Sequence, residues 1–132
     1  CANNDVDILI IDQLDKINVT GKFNATHEKL REVYTQAREL AKRHNILVIG
    51  MSQASAEAQG RSRVTFSTME NSKTGKAAEA DLILGLGKED EEEDFMDDCI
   101  RFVTLSKNKL TGDHKEFEVI LRPTISRFAE RN

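Results

Sequence analysis

The spacing of apolar residues predicts a strand, a helix and a second strand in the first part of the chain. Val6 to Asp12 contains four consecutive large apolar side chains, which is typical of a strand buried on both faces in a parallel sheet. From Thr26 to about Arg43 apolar residues recur every three or four positions, which predicts an amphipathic helix capped by Asn24 or Thr26. Ile46 to Met51 is a second apolar run. Because the helix is long enough for a crossover, we expect the two strands to be parallel neighbours.

The remainder predicts one long polar loop and several shorter elements. Residues 52–74 have no clear period and are expected to form the loop, with a short helix within Ser72 to Glu79. The expected strands are 81–87, 100–106 and 117–122, with Pro123 ending the last of them and residues 125–128 adding a short edge strand. Without a repeat or a linker, residues 1–132 are predicted to form a single domain, on which residues 89–98 are an acidic surface insertion.

Composition and charge narrow the class of protein. The chain has 132 residues, of which 39% are apolar and 32% charged, and it has no apolar stretch long enough for a membrane span. Eight of its 23 acidic residues lie in residues 89–98, and the rest of the chain has 19 basic residues against 15 acidic ones. The net charge of −4 therefore does not exclude nucleic acid as a partner. Cys1 and Cys99 lack metal or redox spacing and are expected to be free thiols in the cytosol.

Two polar residues follow the first two strands. Asp12 is placed at the carboxyl edge of the predicted sheet, where open α/β folds bind ligands and where an Asp of nucleotide hydrolases holds Mg²⁺. An ordinary turn-capping Asp is the alternative. Gln53 follows the second strand at the same edge and could orient water or sense a γ-phosphate, since its amide both donates and accepts. The alternative is a polar residue that simply faces a loop.

Two groups of cations are further candidates. Lys107 and Lys109 flank Asn108 at a strand end, and alternate residues of a strand share a face, so the pair favours a bound anion between the two ammonium groups. The loop supplies four more cations, which suit contact with a phosphate backbone: Arg61, Arg63, Lys73 and Lys76. Solvated surface residues are the alternative for both groups. The three histidines have no metal-ligand spacing.

Taken in order, these segments resemble the second half of a RecA-type motor domain, and most closely the DnaB-type hexameric replicative helicases, including those of phages. Asp7-Ile8-Leu9-Ile10-Ile11-Asp12 resembles the Walker B strand, and Val48-Ile49-Gly50-Met51-Ser52-Gln53 resembles the strand that ends in a phosphate-sensing Gln. Residues 61–86 resemble the DNA-binding loop and its following strand. Ser106-Lys107-Asn108-Lys109-Leu110-Thr111-Gly112 resembles the Lys-Asn-Arg-x-x-Gly segment, which reaches a neighbouring subunit's nucleotide.

The resemblance implies a RecA-like P-loop NTPase core, with a mostly parallel sheet, flanking helices and a C-terminal antiparallel portion. It implies ATP and Mg²⁺ as cofactors, single-stranded DNA and a homo-hexamer as partners, and a cytoplasmic location without membrane contact. Asp12 would hold Mg²⁺ through water, Gln53 would sense the γ-phosphate, and Lys107 and Lys109 would act across the subunit interface. The implied DNA contacts are Arg61, Arg63, Lys73 and Lys76, with Lys22 as a further candidate.

The chain departs from the family pattern in two places. It contains no G-x-x-x-x-G-K-[ST] motif, and the family's catalytic Glu would precede Cys1, so we expect a fragment that does not hydrolyse ATP alone and associates through an open strand edge. Lys109 replaces the usual Arg and lacks its planar, bidentate fork. The alternatives are a recombinase-like filament protein, a regulatory ATPase of the same fold, and an interaction module that binds no nucleotide.

Overall fold

The computed structural model describes residues 5–21, 23–54, 58, 61–65, 76–88 and 99–131. The described chain forms two compact units, of which the first comprises residues 1–53 and 71–80 and the second residues 54–70 and 81–132. The helices and strands follow in this order: β1 (Ile8–Ile11), α1 (Thr26–His44), β2 (Leu47–Gly50), α2 (Lys76–Glu79), β3 (Leu82–Gly87), β4 (Ile100–Asn108), β5 (Glu116–Arg122) and β6 (Arg127–Glu130). The predicted single domain stays a prediction, and the acidic insertion lies outside the described residues.

The first unit is a parallel strand pair with a helix packed on one face. β1 and β2 pair in register from Ile8 opposite Leu47 to Ile11 opposite Gly50, so the predicted parallel strand–helix–strand order is confirmed. Leu14, from a 3₁₀ turn after β1, packs with Val33 and Tyr34 of α1 to form the buried core. The short α2 is joined to α1 through Arg38, whose guanidinium donates to the backbone oxygen of Glu79.

The expectation that these strands are buried on both faces is wrong. Ile8 and Ile10 are 54% and 61% exposed, and their partners Leu47 and Ile49 are exposed as well. Successive side chains of a strand point to opposite faces, and α1 covers only the face that contains Ile11. The apolar run therefore gives one buried face and one exposed apolar face within the described residues.

The start of α1 also differs from the prediction. The helix begins at Thr26, which places Ala25 at the N-cap, and no side chain caps it there. Glu28 replaces the expected cap, because its carboxylate accepts a hydrogen bond from the backbone N–H of Asn24 at 3.0 Å. At the other end Asn45 adopts the left-handed conformation that terminates many helices.

The second unit is a four-stranded antiparallel sheet in the order β3-β4-β5-β6. The predicted C-terminal antiparallel portion is confirmed, and β5 ends at Arg122, directly before Pro123. The edge strand starts two residues later than expected, since a 3₁₀ turn occupies Pro123–Ile125 and Ser126 is left-handed. The described sheets are not mostly parallel, because short turns join β4 to β5 and β5 to β6, and such turns can join only antiparallel strands.

None of the helices in the described part of the chain could span a membrane.

Candidate active site

Two neighbouring strand ends bring Asp12 and Gln53 to one edge of the first unit. Asp12 directly follows β1, and Gln53 lies three residues after β2. The parallel pairing continues past both strands, since the backbone N–H of Met51 donates to the carbonyl oxygen of Ile11 at 3.0 Å. Asp12 and Gln53 are both exposed. The two residues are thus presented to solvent at the same sheet edge, which is the arrangement that a phosphate-bearing ligand requires.

Asp12 fits a magnesium ion by its chemistry. Mg²⁺ usually keeps several waters and takes one or two carboxylates together with substrate phosphates. The described residues contain no cluster of three or more His, Cys, Asp or Glu side chains that could form an all-protein metal site. A single exposed carboxylate such as Asp12 is suited to water-mediated Mg²⁺ binding beside a nucleotide.

The turn after β1 ties the two strand ends together. Gln13 has a positive φ of 55°, which turns the chain back towards β2. The backbone N–H of Leu14 then donates to the carbonyl oxygen of Met51 at 2.8 Å, and the side chain of Leu14 enters the core. A buried apolar anchor therefore holds the backbone next to Asp12.

Asp15 is the residue at this site that sequence reasoning missed. Its carboxylate accepts hydrogen bonds from the hydroxyls of Tyr34 and Ser52, both at 2.8 Å, and from the backbone N–H of Gln53 at 3.3 Å. These partners lie 19, 37 and 38 residues away in sequence. The available signals were an acidic residue three positions after Asp12 and a hydroxyl on the apolar face of α1, and neither signal identifies its partner.

The Tyr34 hydroxyl stays protonated and donates. Burial is the main cause that raises the pKa of Tyr34 above its ordinary value, and the hydrogen bond to Asp15 raises it further. A hydrogen bond with Ser52 acts in the opposite direction and is outweighed. The phenol therefore remains a neutral donor to Asp15 across the physiological pH range.

In the second unit, Asn108 builds the turn after β4. Its side-chain oxygen accepts from the backbone N–H groups of Leu110 and Thr111 at 3.0 and 3.2 Å, and its amide donates to the Thr111 hydroxyl at 2.6 Å. β4 ends at Asn108, so Lys109 belongs to the turn and strand alternation does not pair it with Lys107. The ammonium of Lys109 lies 3.5 Å from the carboxylate of Asp81, which is the anion beside it in this chain.

Arg61 and Arg63 lie on a segment that runs along the sheet of the second unit. A Cβ atom at Gly85 would collide with the carbonyl oxygen of Val64, and one at Gly87 would collide with that of Ser62. The missing side chains of these two glycines let backbone lie against backbone. The hydroxyl of Ser106 adds a hydrogen bond to the carbonyl oxygen of Val64 at 2.8 Å.

The predicted cations are only partly within the described residues. Arg61 and Arg63 are exposed, and the guanidinium of Arg63 donates to the carboxylate of Glu116 at 2.8 Å. Lys76 is the first residue of α2. Lys22 and Lys73 lie outside the described residues.

Comparison with known proteins gives the fold. No protein-family model matches the sequence, and no curated protein matches it. A solved structure of an isolated ATPase domain superposes with a TM-score of 0.82 at 19% identity, over 99% of this chain and 47% of that one. A DnaB-like replicative helicase, described with its interactions with primase, superposes with a TM-score of 0.80 at 19% identity, over 99% of this chain and 32% of that one. The chain thus spans less than half the length of either structure, and it has the fold of the ATPase domains of DnaB-like helicases, as predicted.

Proposed function

We propose that this chain is part of the ATP-driven motor of a DnaB-like replicative DNA helicase, which couples nucleotide hydrolysis to movement along single-stranded DNA. The observation that carries the proposal is the parallel pair β1–β2, which presents exposed Asp12 and Gln53 at one edge. The likeness in fold to the two ATPase structures supports the same assignment.

At the proposed nucleotide site, Asp12 holds Mg²⁺ through water and Gln53 senses the γ-phosphate of ATP. When bound, Mg²⁺ neutralises charge on the transferring phosphoryl group. The 132 residues contain no G-x-x-x-x-G-K-[ST] phosphate loop. Because the chain spans less than half of each matched structure, we propose that another part of the complete protein supplies this loop.

The proposed DNA and subunit contacts belong to the second unit and to residues flanking it in sequence. Arg61 and Arg63, with Lys22, Lys73 and Lys76, contact the phosphates of single-stranded DNA. Lys107 and Lys109 stabilise charge on the nucleotide of a neighbouring subunit in a homo-hexamer. The ion pairs Arg63–Glu116 and Lys109–Asp81 are partly exposed, and such pairs contribute at most about 1 kcal/mol, so a phosphate can displace either carboxylate at little cost.

The test is ATP turnover by the protein from the complete reading frame, with and without single-stranded DNA. We expect turnover that rises several-fold with DNA, that is abolished by Asp12→Ala and that is unchanged by Asp7→Asn, an exposed carboxylate directly before β1. Turnover that persists in Asp12→Ala would remove that residue from the site. Turnover indifferent to DNA would instead support a regulatory ATPase of the same fold, and its absence in both conditions would support an interaction module.

A second measurement addresses the assembly. A closed ring has a defined mass, whereas a recombinase-like filament grows without limit. Mass measurement with ATP present should therefore give a single hexameric species, and electron microscopy should show rings. Open filaments would favour the recombinase-like alternative.

A further inference from the structure

We propose that Asp15 is a positioning residue of the nucleotide site, which holds the backbone of Gln53 in place relative to Asp12. The inference rests on the proposed function for its effect on hydrolysis, but its structural part can be measured independently. Asp15 does not need to touch the nucleotide, because it acts on Gln53 through a backbone hydrogen bond.

The first step of the argument is where Asp15 lies. It belongs to the 3₁₀ turn that follows β1, whereas Ser52 and Gln53 follow β2. Its carboxylate therefore bridges the two strand ends beyond the last backbone hydrogen bond between them, from Leu14 to Met51. A movement of one strand end relative to the other would have to break this bridge.

The second step is that a carboxylate suits this place better than an amide. All three groups around Asp15 act as donors: one oxygen accepts from Tyr34, and the other accepts from both Ser52 and Gln53. An ionised carboxylate is a pure acceptor with two oxygens, so it satisfies all three donors together. An Asn would offer one accepting oxygen and would turn an N–H towards one side of the bridge.

The third step is that the bridge has a rigid support. Tyr34 is part of the buried core of the first unit, and its hydroxyl reaches Asp15 from α1. Asp15 thus connects the core to the backbone of Gln53, while the side chain of Gln53 remains exposed. A small displacement of a reacting or sensing group is costly, since about 1 Å of misplacement can lower a rate by roughly a hundredfold.

The experiment compares Asp15→Ala, Asp15→Asn and the control Asp7→Asn in the protein from the complete reading frame. We expect Asp15→Ala to lower kcat for ATP by roughly tenfold to a hundredfold. The KM for ATP should change by less than about twofold, because Asp12 is left in place. Asp15→Asn has nearly the same shape and keeps one acceptor for the Gln53 N–H, so its loss should be smaller. Asp7→Asn should match the wild type.

Hydrogen exchange at the Gln53 amide supplies a readout that does not depend on hydrolysis. The amide should exchange slowly in the wild type, slightly faster in Asp15→Asn and fastest in Asp15→Ala. If the wild type hydrolyses no ATP, the proposed function fails, and the exchange rates alone decide whether Asp15 positions Gln53.

Three results would overturn the inference. One is a wild-type kcat in Asp15→Ala in an active enzyme. Another is a fall in kcat that only follows the folded fraction measured by circular dichroism, because that is the signature of a merely structural residue. The third is equal exchange of the Gln53 amide in the wild type and both Asp15 variants.

Discussion

The two units of the chain are held together in opposite ways. In the first unit, the large side chains of Leu14, Val33 and Tyr34 fill a core between a strand pair and a helix. In the second, the absence of side chains at Gly85 and Gly87 lets the backbone of Ser62 to Val64 lie directly on the sheet. The first unit should therefore be sensitive to the removal of atoms and the second to their addition.

The polar contacts differ in the same way. The carboxylate of Asp15 is partly buried and accepts from a buried phenol in the first unit. Arg63 and Glu116 in the second unit form an ion pair with an exposed guanidinium. Because water and salt screen exposed charges, only the second kind of contact should depend on ionic strength.

The largest expected effect is the removal of atoms from the first unit. Leu14 is 5% exposed, so Leu14→Ala should lower the free energy of unfolding by about 3 kcal/mol through lost burial and the cavity left behind. Leu110→Ala is the matched control in the second unit, since Leu110 is 77% exposed and its loss should cost less than about 0.5 kcal/mol. Urea denaturation of both variants measures the difference. Equal losses would contradict the proposed contrast between the units.

The next largest effect is the addition of one methyl group to the second unit. Gly85→Ala should cost about 2 kcal/mol and displace residues 61–65, because the new Cβ would collide with the carbonyl of Val64 and a backbone oxygen has little room to move. Trypsin should then cleave faster after Arg61 and Arg63. Leu84→Ala on the opposite, exposed face of β3 serves as the control, and unchanged cleavage in Gly85→Ala would show that the close contact is absent.

A smaller effect concerns the phenol of the first unit. Tyr34→Phe should lower the free energy of unfolding by about 1 kcal/mol at neutral pH, since it removes one hydrogen bond to Asp15. The raised pKa of Tyr34 adds a pH dependence: its contribution is complete below the ordinary tyrosine pKa of about 10 and is lost as pH rises further, when the unfolded state ionises first. The variant should lack this alkaline loss. Parallel stability curves for both proteins above about pH 10 would contradict the assigned burial.

The smallest effect is the coupling between Arg63 and Glu116. A double-mutant cycle with Arg63→Ala and Glu116→Ala should give less than about 1 kcal/mol, and the value should shrink at about 1 M salt. The corresponding cycle for Asp15 and Tyr34 should give a larger value that changes little with salt. Reversed salt dependences would reverse the comparison of the polar contacts.

Much of the first unit could be predicted because its signals are local. The apolar run of β1, the three-and-four spacing of α1 and the second apolar run of β2 each determine an element, and the length of α1 implies the parallel pairing. The position of Asp12 and Gln53 at one sheet edge follows directly. Exposure could not be predicted in this way, because it depends on which elements pack on each face of the strand pair.

The missed contacts share a physical reason. Asp15 finds its partners 19 to 38 residues away, and Asp81 meets Lys109 only where β3 and β4 lie side by side. A residue type and its neighbours in sequence contain no information on such distant partners. The glycines of β3 likewise gave no indication that another backbone segment lies against them.

The amino-acid sequence by itself determined the order of the elements, the pairing of β1 with β2 and the chemistry available at their ends, because hydrophobic periodicity and residue type act locally. Only the tertiary structure decided that one carboxylate ties Gln53 to the core, that Lys109 faces Asp81, and that one face of the first strand pair is exposed. These outcomes depend on packing between residues far apart in the chain, where burial and hydrogen-bond geometry are set by the fold.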